Sequence, residues 1–267
     1  MSRNLLDRRQ FLTLPVALVL APLAARAEPG PAGLSGSYGV EVGIFYDVFS
    51  LQLPGRLEGS VDGAAGHYAV LAAGRGRRIA NRIESRGVLR QGRWAPLQTT
   101  SWFEVMGREA RTDIRYDYSR RLVAYRHRSE TFFRRRQRAV DDVVRIPEGA
   151  HVDDAVSAVL NYADRRWPAE PDGRLRTHLV RRHRPEREGP DDVAAAYHAE
   201  IVPLTLALEV DSRTGQRRAL LDLTGFSSWA SADRPARIVF GPDRRPQEIT
   251  ASLILGSSVR IRFEGMA

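Results

Sequence analysis

Alternation of apolar and polar residues dominates the chain. Tyr38, Val40, Val42 and Ile44 alternate with small or polar neighbours, the period-two signature of a half-buried strand. A second run, 48–57, is placed to pair with it. Further strand-like runs follow at 67–72, 78–89, 94–106, 111–118 and 122–127, separated by Gly74, Gly76, Gly92, Gly107 and the Ser119-Arg120 step. In Arg111 to Tyr118 the pattern is cleanest: Ile114, Tyr116 and Tyr118 share one face, and Asp113, Arg115 and Asp117 share the other. One wet face predicts an antiparallel sheet. Later in the chain, 174–187 alternates basic residues with Leu175, Leu179 and Val180, and strands are predicted at 201–210, 216–223 and 236–240. A hairpin over 247–263 bends at Leu255-Gly256-Ser257.

One stretch breaks the alternation. Between Ile146 and Trp167, the residues Val156, Val159, Leu160, Ala163 and Trp167 recur at three- and four-residue steps, which predicts a helix over about 153–166. Ser157, Asn161, Asp164 and Arg165 fall mostly on its other face. Asp153 is positioned as N-cap, Asp154 adds negative charge at the positive helix end, and Pro168 stops the helix at Trp167. Many short strands around one helix predict a mainly β fold: an antiparallel curled sheet or incomplete barrel, with the helix packed on it or capping an open end. The interior of such a shell is either filled by side chains or holds one apolar ligand. No repeat of 20 to 50 residues is present, which disfavours a propeller or solenoid.

The first 27 residues follow other rules. Asp7-Arg8-Arg9-Gln10-Phe11-Leu12 has the form of a twin-arginine export signal, with the general secretory route as the alternative. It leads into the apolar run 12–23 and then to Ala25-Arg26-Ala27, a small-x-small cleavage site. The predicted organisation is a signal peptide over 1–27 cleaved after Ala27, a Pro/Gly/Ser-rich flexible leader over 28–37, and one β-rich domain over 38–267. The predicted compartment is the periplasm. Beyond the signal, no apolar run reaches the length of about 18 residues that suggests a membrane span, so the mature chain is expected to be peripheral to the membrane at most.

Composition sharpens this picture in two ways. There is no cysteine, so an oxidising compartment adds no disulfide and no lipid anchor, and the core alone must stabilise the fold. There is also no lysine, so all 41 basic residues are arginine, and the formal net charge is +9. The signal carries four arginines against Asp7, which leaves +6 on the mature chain. An exported basic protein meets anionic lipid or acidic glycan rather than nucleic acid.

Several short motifs carry a family resemblance. They are Tyr38 opening the first strand, Ser85-x-Gly87 followed by Gly92-x-Trp94-x-Pro96, Tyr116 to Tyr125 with Asp117 in the turn, Ile146-Pro147-Glu148-Gly149 leading through Asp153 into 155–162, and the closing hairpin from Arg245-Pro246 to Phe263. Over nearly all of the mature chain they resemble the exported proteobacterial family called domain of unknown function 3108. The resemblance implies a β-rich periplasmic domain with no established activity, and it transfers no catalytic residue. The basic segments 126–138 and 174–187 are more arginine-rich than that family pattern requires. A weaker similarity is to envelope-integrity proteins with a spiral β fold, which carry a cysteine pair that this chain lacks.

Candidate chemistry is sparse. His151-Val-Asp153-Asp154 has the residue types of a metal or acid/base site, but its spacing matches no recognised one; capping accounts for the acids and a solvated loop for His151. Arg134, Arg135, Arg136 and Arg138, preceded by Phe132 and Phe133, have the basic-aromatic character of a strand that grips phosphate or a stacked base, with anionic lipid or glycan as the ligand that export leaves, and Arg181, Arg182 and Arg184 are read in the same way. A solvated charged face is the other reading of both. Trp94, Trp102, Trp229, Tyr116 and Tyr125 suit a pocket or a packed core equally. Glu84, Glu104 and Asp113 lie on predicted strands without any feature that pairs them. No G-x-S-x-G, H-E-x-x-H or P-loop occurs, and no catalytic, metal or cofactor-binding residue is assigned. The expected function is a non-catalytic envelope protein holding an anionic lipid or glycan. A hydrolase of envelope polymer and a structural partner of another envelope protein are the alternatives.

Overall fold

Each alternating run ends where the backbone can reverse. At Gln91-Gly92 and Met106-Gly107 both residues have positive φ (50° and 77°; 51° and 73°), the geometry of two-residue hairpin turns whose twist matches that of the flanking strands. The computed structural model describes residues 32–44, 49–185, 188–227, 229–231 and 233–264. The first eight strands are β1 (Ala32–Ile44), β2 (Phe49–Asp62), β3 (His67–Gly76), β4 (Ile79–Arg90), β5 (Arg93–Val105), β6 (Arg108–Asp117), β7 (Leu122–Glu130) and β8 (Gln137–Arg145). A two-residue strand, β9 (Val152–Asp153), then leads into helix α1 (Ala155–Ala163). The return half comprises β10 (Leu175–Arg182), β11 (Ala199–Val210), β12 (Arg217–Leu221), β13 (Ala236–Phe240), β14 (Pro246–Ser252) and β15 (Ser258–Glu264).

All fifteen strands form one sheet in the order 8-7-6-5-4-3-2-1-15-14-13-12-11-10-9. Every neighbour pair is antiparallel except β9 with β10. Only the β1–β15 pair joins strands distant in sequence, so the chain is one long meander whose two terminal strands meet. The sheet is not closed into a barrel by hydrogen bonds. It curls until its free ends overlap, β7 lying near β10 and β8 near β11. Between those ends the chain turns inward, so β9 and α1 fill the interior.

The predicted strands and the single helix are present, with differences that have physical causes. Ala32 to Ser37, expected as flexible leader, form the first part of β1 and pair with Val61 to Arg56; Leu34 is buried there, and Gly and Ser do not prevent a ladder. The basic run at 134–136 is not strand but a turn between β7 and β8, with Arg135 at φ 54°. The helix is shorter than expected and is capped by Asp154, whose carboxylate accepts from the Ser157 N–H at 2.7 Å, while the Ser157 hydroxyl accepts from the Asp154 N–H. Asp153 instead lies in β9. The helix has no wet side along most of its length, since Ser157 and Asn161 are as buried as Val156 and Leu160. It plugs the interior rather than resting on a surface.

Asn161 explains how a polar residue docks that plug. Its side-chain oxygen accepts from the Trp94 N–H and its amide donates to the Trp94 carbonyl, both at 2.8 Å, so it stands in for a neighbouring strand. The Trp94 indole donates to Asp164 at 2.9 Å. The apolar core divides in two. One cluster spans β1 to β5, α1 and β11 to β15; a smaller one, with Val123, Val140, Val152, Val180 and Ala199, lies where the sheet ends overlap. No helix among the described residues is long and apolar enough to cross a membrane.

Candidate functional site

The two core clusters do not fuse, and the gap between them is a cavity of about 200 Å3. Register places three inward-facing rows along it. Thr99, Ile114 and Tyr125 are opposite one another on β5, β6 and β7. Ser101, Thr112 and His127 form the next row, and Phe103, Ala110 and Ser129 the third. All nine line the cavity, and α1's first turn and β10 close it from the other side. Hydroxyl groups therefore occupy interior positions where alternation predicts hydrocarbon.

One end of the cavity is acidic. Asp154 is buried, and its carboxylate accepts from the Ser85 and Thr99 hydroxyls, the latter at 2.5 Å, as well as from the Ser157 N–H of the helix cap. Burial raises its pKa, with these hydrogen bonds opposing the shift. Asp153 has no exposed surface and moves the other way. Burial pushes its pKa up, but His151, Thr177 and the Arg93 guanidinium, at 3.2 Å, outweigh that and hold it below the usual carboxylate range. Ser157 and Asn161 donate to it as well, each at 2.8 Å. The expectation of a capping acid and a solvated His151 thus changes: His151 Nε2 lies 3.1 Å from Asp153 and 3.0 Å from the Trp94 carbonyl, inside a buried polar network. Among the described residues no three His, Cys, Asp or Glu side chains converge to hold a metal ion.

The Tyr116 hydroxyl reaches the same end without a well-formed hydrogen bond; Thr99, beside it, is committed to Asp154. Burial, and then the Asp154 charge, push the Tyr116 phenol well above its ordinary pKa, so it is a neutral donor.

The other end is basic. Arg138, Arg181, Arg182 and Arg184 all border the cavity, and the positive field is felt by His127. Burial, reinforced by Arg182 and Arg138, lowers its pKa to about 4, so its imidazole is neutral at pH 7. It bridges Thr112 (2.9 Å) and Ser129 (3.1 Å).

The seven predicted arginines separate into two groups. Arg134, Arg135 and Arg136 are exposed on the β7–β8 turn, away from the cavity lining. The structure brings the other four together. Three of them are already engaged: Arg182 makes two contacts with Glu188 at 2.7 and 2.9 Å. Arg138 donates to the carbonyls of Gly189, Pro190 and Asp192, and Arg184 to those of Thr224, Ser227 and Glu188. Arg138 thus staples β8 to the loop that follows β10, helped by Asp142, which accepts from the Ala199 N–H at 2.9 Å, while Arg182 and Arg184 hold Glu188 and the 224–227 loop on the β10 side. Arg181 differs. It contacts Glu200 at 2.8 Å and lies over Phe226, but its Nε and Nη1 have no hydrogen-bond partner among the described residues.

Tyr116 and Tyr125 line the cavity, whereas Trp94 and Trp229 are packed core and Trp102 lies on the outer face in the row of Arg82 and Arg111. Glu84 and Asp113 are also outside, paired with Arg82 and Arg115, and cannot act on anything in the cavity. Thr99, Ser101, Thr112, His127 and Ser129 were not singled out by sequence; their only signal is the phase they share with Phe103 and Ile114. The export residues Arg8, Arg9, Phe11, Leu12, Ala25 and Ala27 lie outside the described residues.

No family model matches this chain, and no curated protein matches it. Among solved structures it is similar to the β-barrel-like protein of Domain of Unknown Function DUF1849 from Brucella abortus, with 9% identity, 90% of this chain and 98% of that chain covered, and a TM-score of 0.41.

Proposed function

We propose that this is an exported, periplasmic envelope protein of the kind represented by domain of unknown function 3108, and that it binds a small anionic ligand in the interior of its curled sheet without transforming it. The observation that carries this reading is the cavity itself: about 200 Å3, bordered by four arginines and containing the unpartnered donors of Arg181. Buried donors without acceptors are rare in folded proteins and call for an explanation; a bound anion supplies one. The volume is below the range of about 300–1,000 Å3 that holds drug-sized ligands, so a whole diacyl lipid does not fit inside. Of an anionic lipid or glycan, only one acidic unit enters.

Native mass spectrometry of protein recovered from the periplasm tests this. The reading expects a small acidic molecule that dissociates on denaturation and is reduced at least tenfold in Arg181→Gln. Ligand-free protein from every preparation contradicts it, and recovery of one specific protein partner instead supports a structural role.

A further inference from the structure

The chemistry of the cavity limits the ligand further, on the reading just given. Its two ends have opposite character and a measurable separation. Leu179 pairs with Asp153 across β10 and β9, so Arg181 and Arg182 follow two and three residues along the strand, roughly 7–10 Å away at about 3.3 Å per residue. At the acidic end stands the Tyr116 hydroxyl, which makes no well-formed hydrogen bond and belongs to a residue 6% exposed. At the basic end stand the unpartnered donors of Arg181. Between them Ser101, Thr112 and Ser129 present hydroxyls, and His127 presents a neutral imidazole. His127 already bridges Thr112 and Ser129, but an alkyl chain in this space would leave the Tyr116 hydroxyl and the Arg181 donors without acceptors and without water, which is unfavourable for each of them.

The geometry points to a hydroxylated carboxylic acid of single-sugar size, a uronic acid being the simplest member of the class. Its carboxylate faces Arg181, its ring lies against Phe103, Ile114 and Leu179, and its hydroxyls engage Thr112, His127 and Tyr116. Hydroxyls suit this lining because each both donates and accepts, so they serve the Tyr116 O–H as well as the Ser and Thr side chains. An acidic sugar at the end of an envelope glycan is the source that the exported location makes available.

Isothermal titration with four probes separates this inference from the wider one. D-glucuronate is expected to bind, and D-glucose, octanoate and inorganic phosphate are expected to bind at least tenfold more weakly. Arg181→Gln should weaken glucuronate at least tenfold, and Tyr116→Phe about threefold or more, while Tyr116→Phe leaves the melting temperature nearly unchanged because its hydroxyl makes no well-formed internal hydrogen bond. Octanoate or phosphate binding in preference to glucuronate overturns the hydroxy-acid class and leaves the anion-binding cavity standing. Glucose binding as well as glucuronate removes the role given to Arg181. Glucuronate binding that neither substitution affects places the acid outside the cavity and overturns the inference, and failure of all four probes counts against both readings.

Discussion

Asp154 ties the interior plug to the sheet, and its replacement by Ala tests how that plug is held. The substitution removes the acceptor of the Ser85 hydroxyl, the Thr99 hydroxyl and the Ser157 N–H together. Ser85 keeps a second neighbour, the Tyr68 hydroxyl at 3.0 Å, so its loss is partly relieved, but the backbone N–H cannot turn elsewhere. A buried donor left unsatisfied costs about 1–3 kcal/mol, and loss of an N-cap costs about 1 kcal/mol. Asp154→Ala should therefore destabilise by roughly 3–5 kcal/mol, or lower the melting temperature by about 10 °C in a domain of this size. Asp154→Asn behaves differently. Its amide oxygen still accepts from Ser157, its NH2 can donate to hydroxyl lone pairs, and the desolvated charge is gone, so the cost should be about 1 kcal/mol. Urea unfolding with linear extrapolation measures both. An Ala variant within about 1 kcal/mol of the parent, or an Asn variant as unstable as Ala, refutes the role assigned to this carboxylate.

Three further outcomes follow from the same geometry. His127 titrates near 4 in the folded chain and about 6.5 unfolded, so the unfolded state alone takes up its proton between those values. Stability should fall by up to about 3 kcal/mol as pH drops from about 6.5 to 4, and His127→Gln should flatten that part of a pH series of urea midpoints; an unchanged slope contradicts the enclosed imidazole. Arg138 is 7% exposed and staples the overlapping sheet ends, so Arg138→Ala should cost about 3–5 kcal/mol, whereas a triple Ser replacement of Arg134, Arg135 and Arg136 should stay within about 0.5 kcal/mol per site, both measured by thermal and urea denaturation. Paired Lys substitutions at Arg8 and Arg9 should block export of a reporter that functions only when exported folded; unimpaired export assigns the signal to the general secretory route.

The meander was legible because its strands have one wet face. Ile114, Tyr116 and Tyr118 against Asp113, Arg115 and Asp117 fix their own orientation, and the glycines at 92 and 107 mark the reversals. The overlap of the sheet ends was not legible, because no local pattern encodes which strands meet without a ladder. The interior hydroxyls were hidden for a related reason: Thr99, Ser101 and Thr112 have the polarity of outward positions, and only the phase they share with Phe103 and Ile114 places them inward. The helix shows the same limit. Its apolar stripe was visible in Val156, Leu160 and Trp167, but Ser157 and Asn161 read as a solvated face until Asp154, Asp153 and Trp94 gave them buried partners. Arginine clusters were visible as clusters, yet nothing in the runs 134–138 and 181–184 distinguishes Arg138, clamped on backbone carbonyls, from Arg134, exposed beside Asp191.

On the reading proposed above, a ligand is held in the interior between the two core clusters and not on the arginine-rich outer surface. A crystal structure of the protein soaked with D-glucuronate tests it most directly. Electron density is expected inside the cavity, with a carboxylate within hydrogen-bond distance of Arg181 and a hydroxyl on Tyr116. A cavity holding only water, with the acid bound on the outer face or at Arg134 to Arg136, contradicts it.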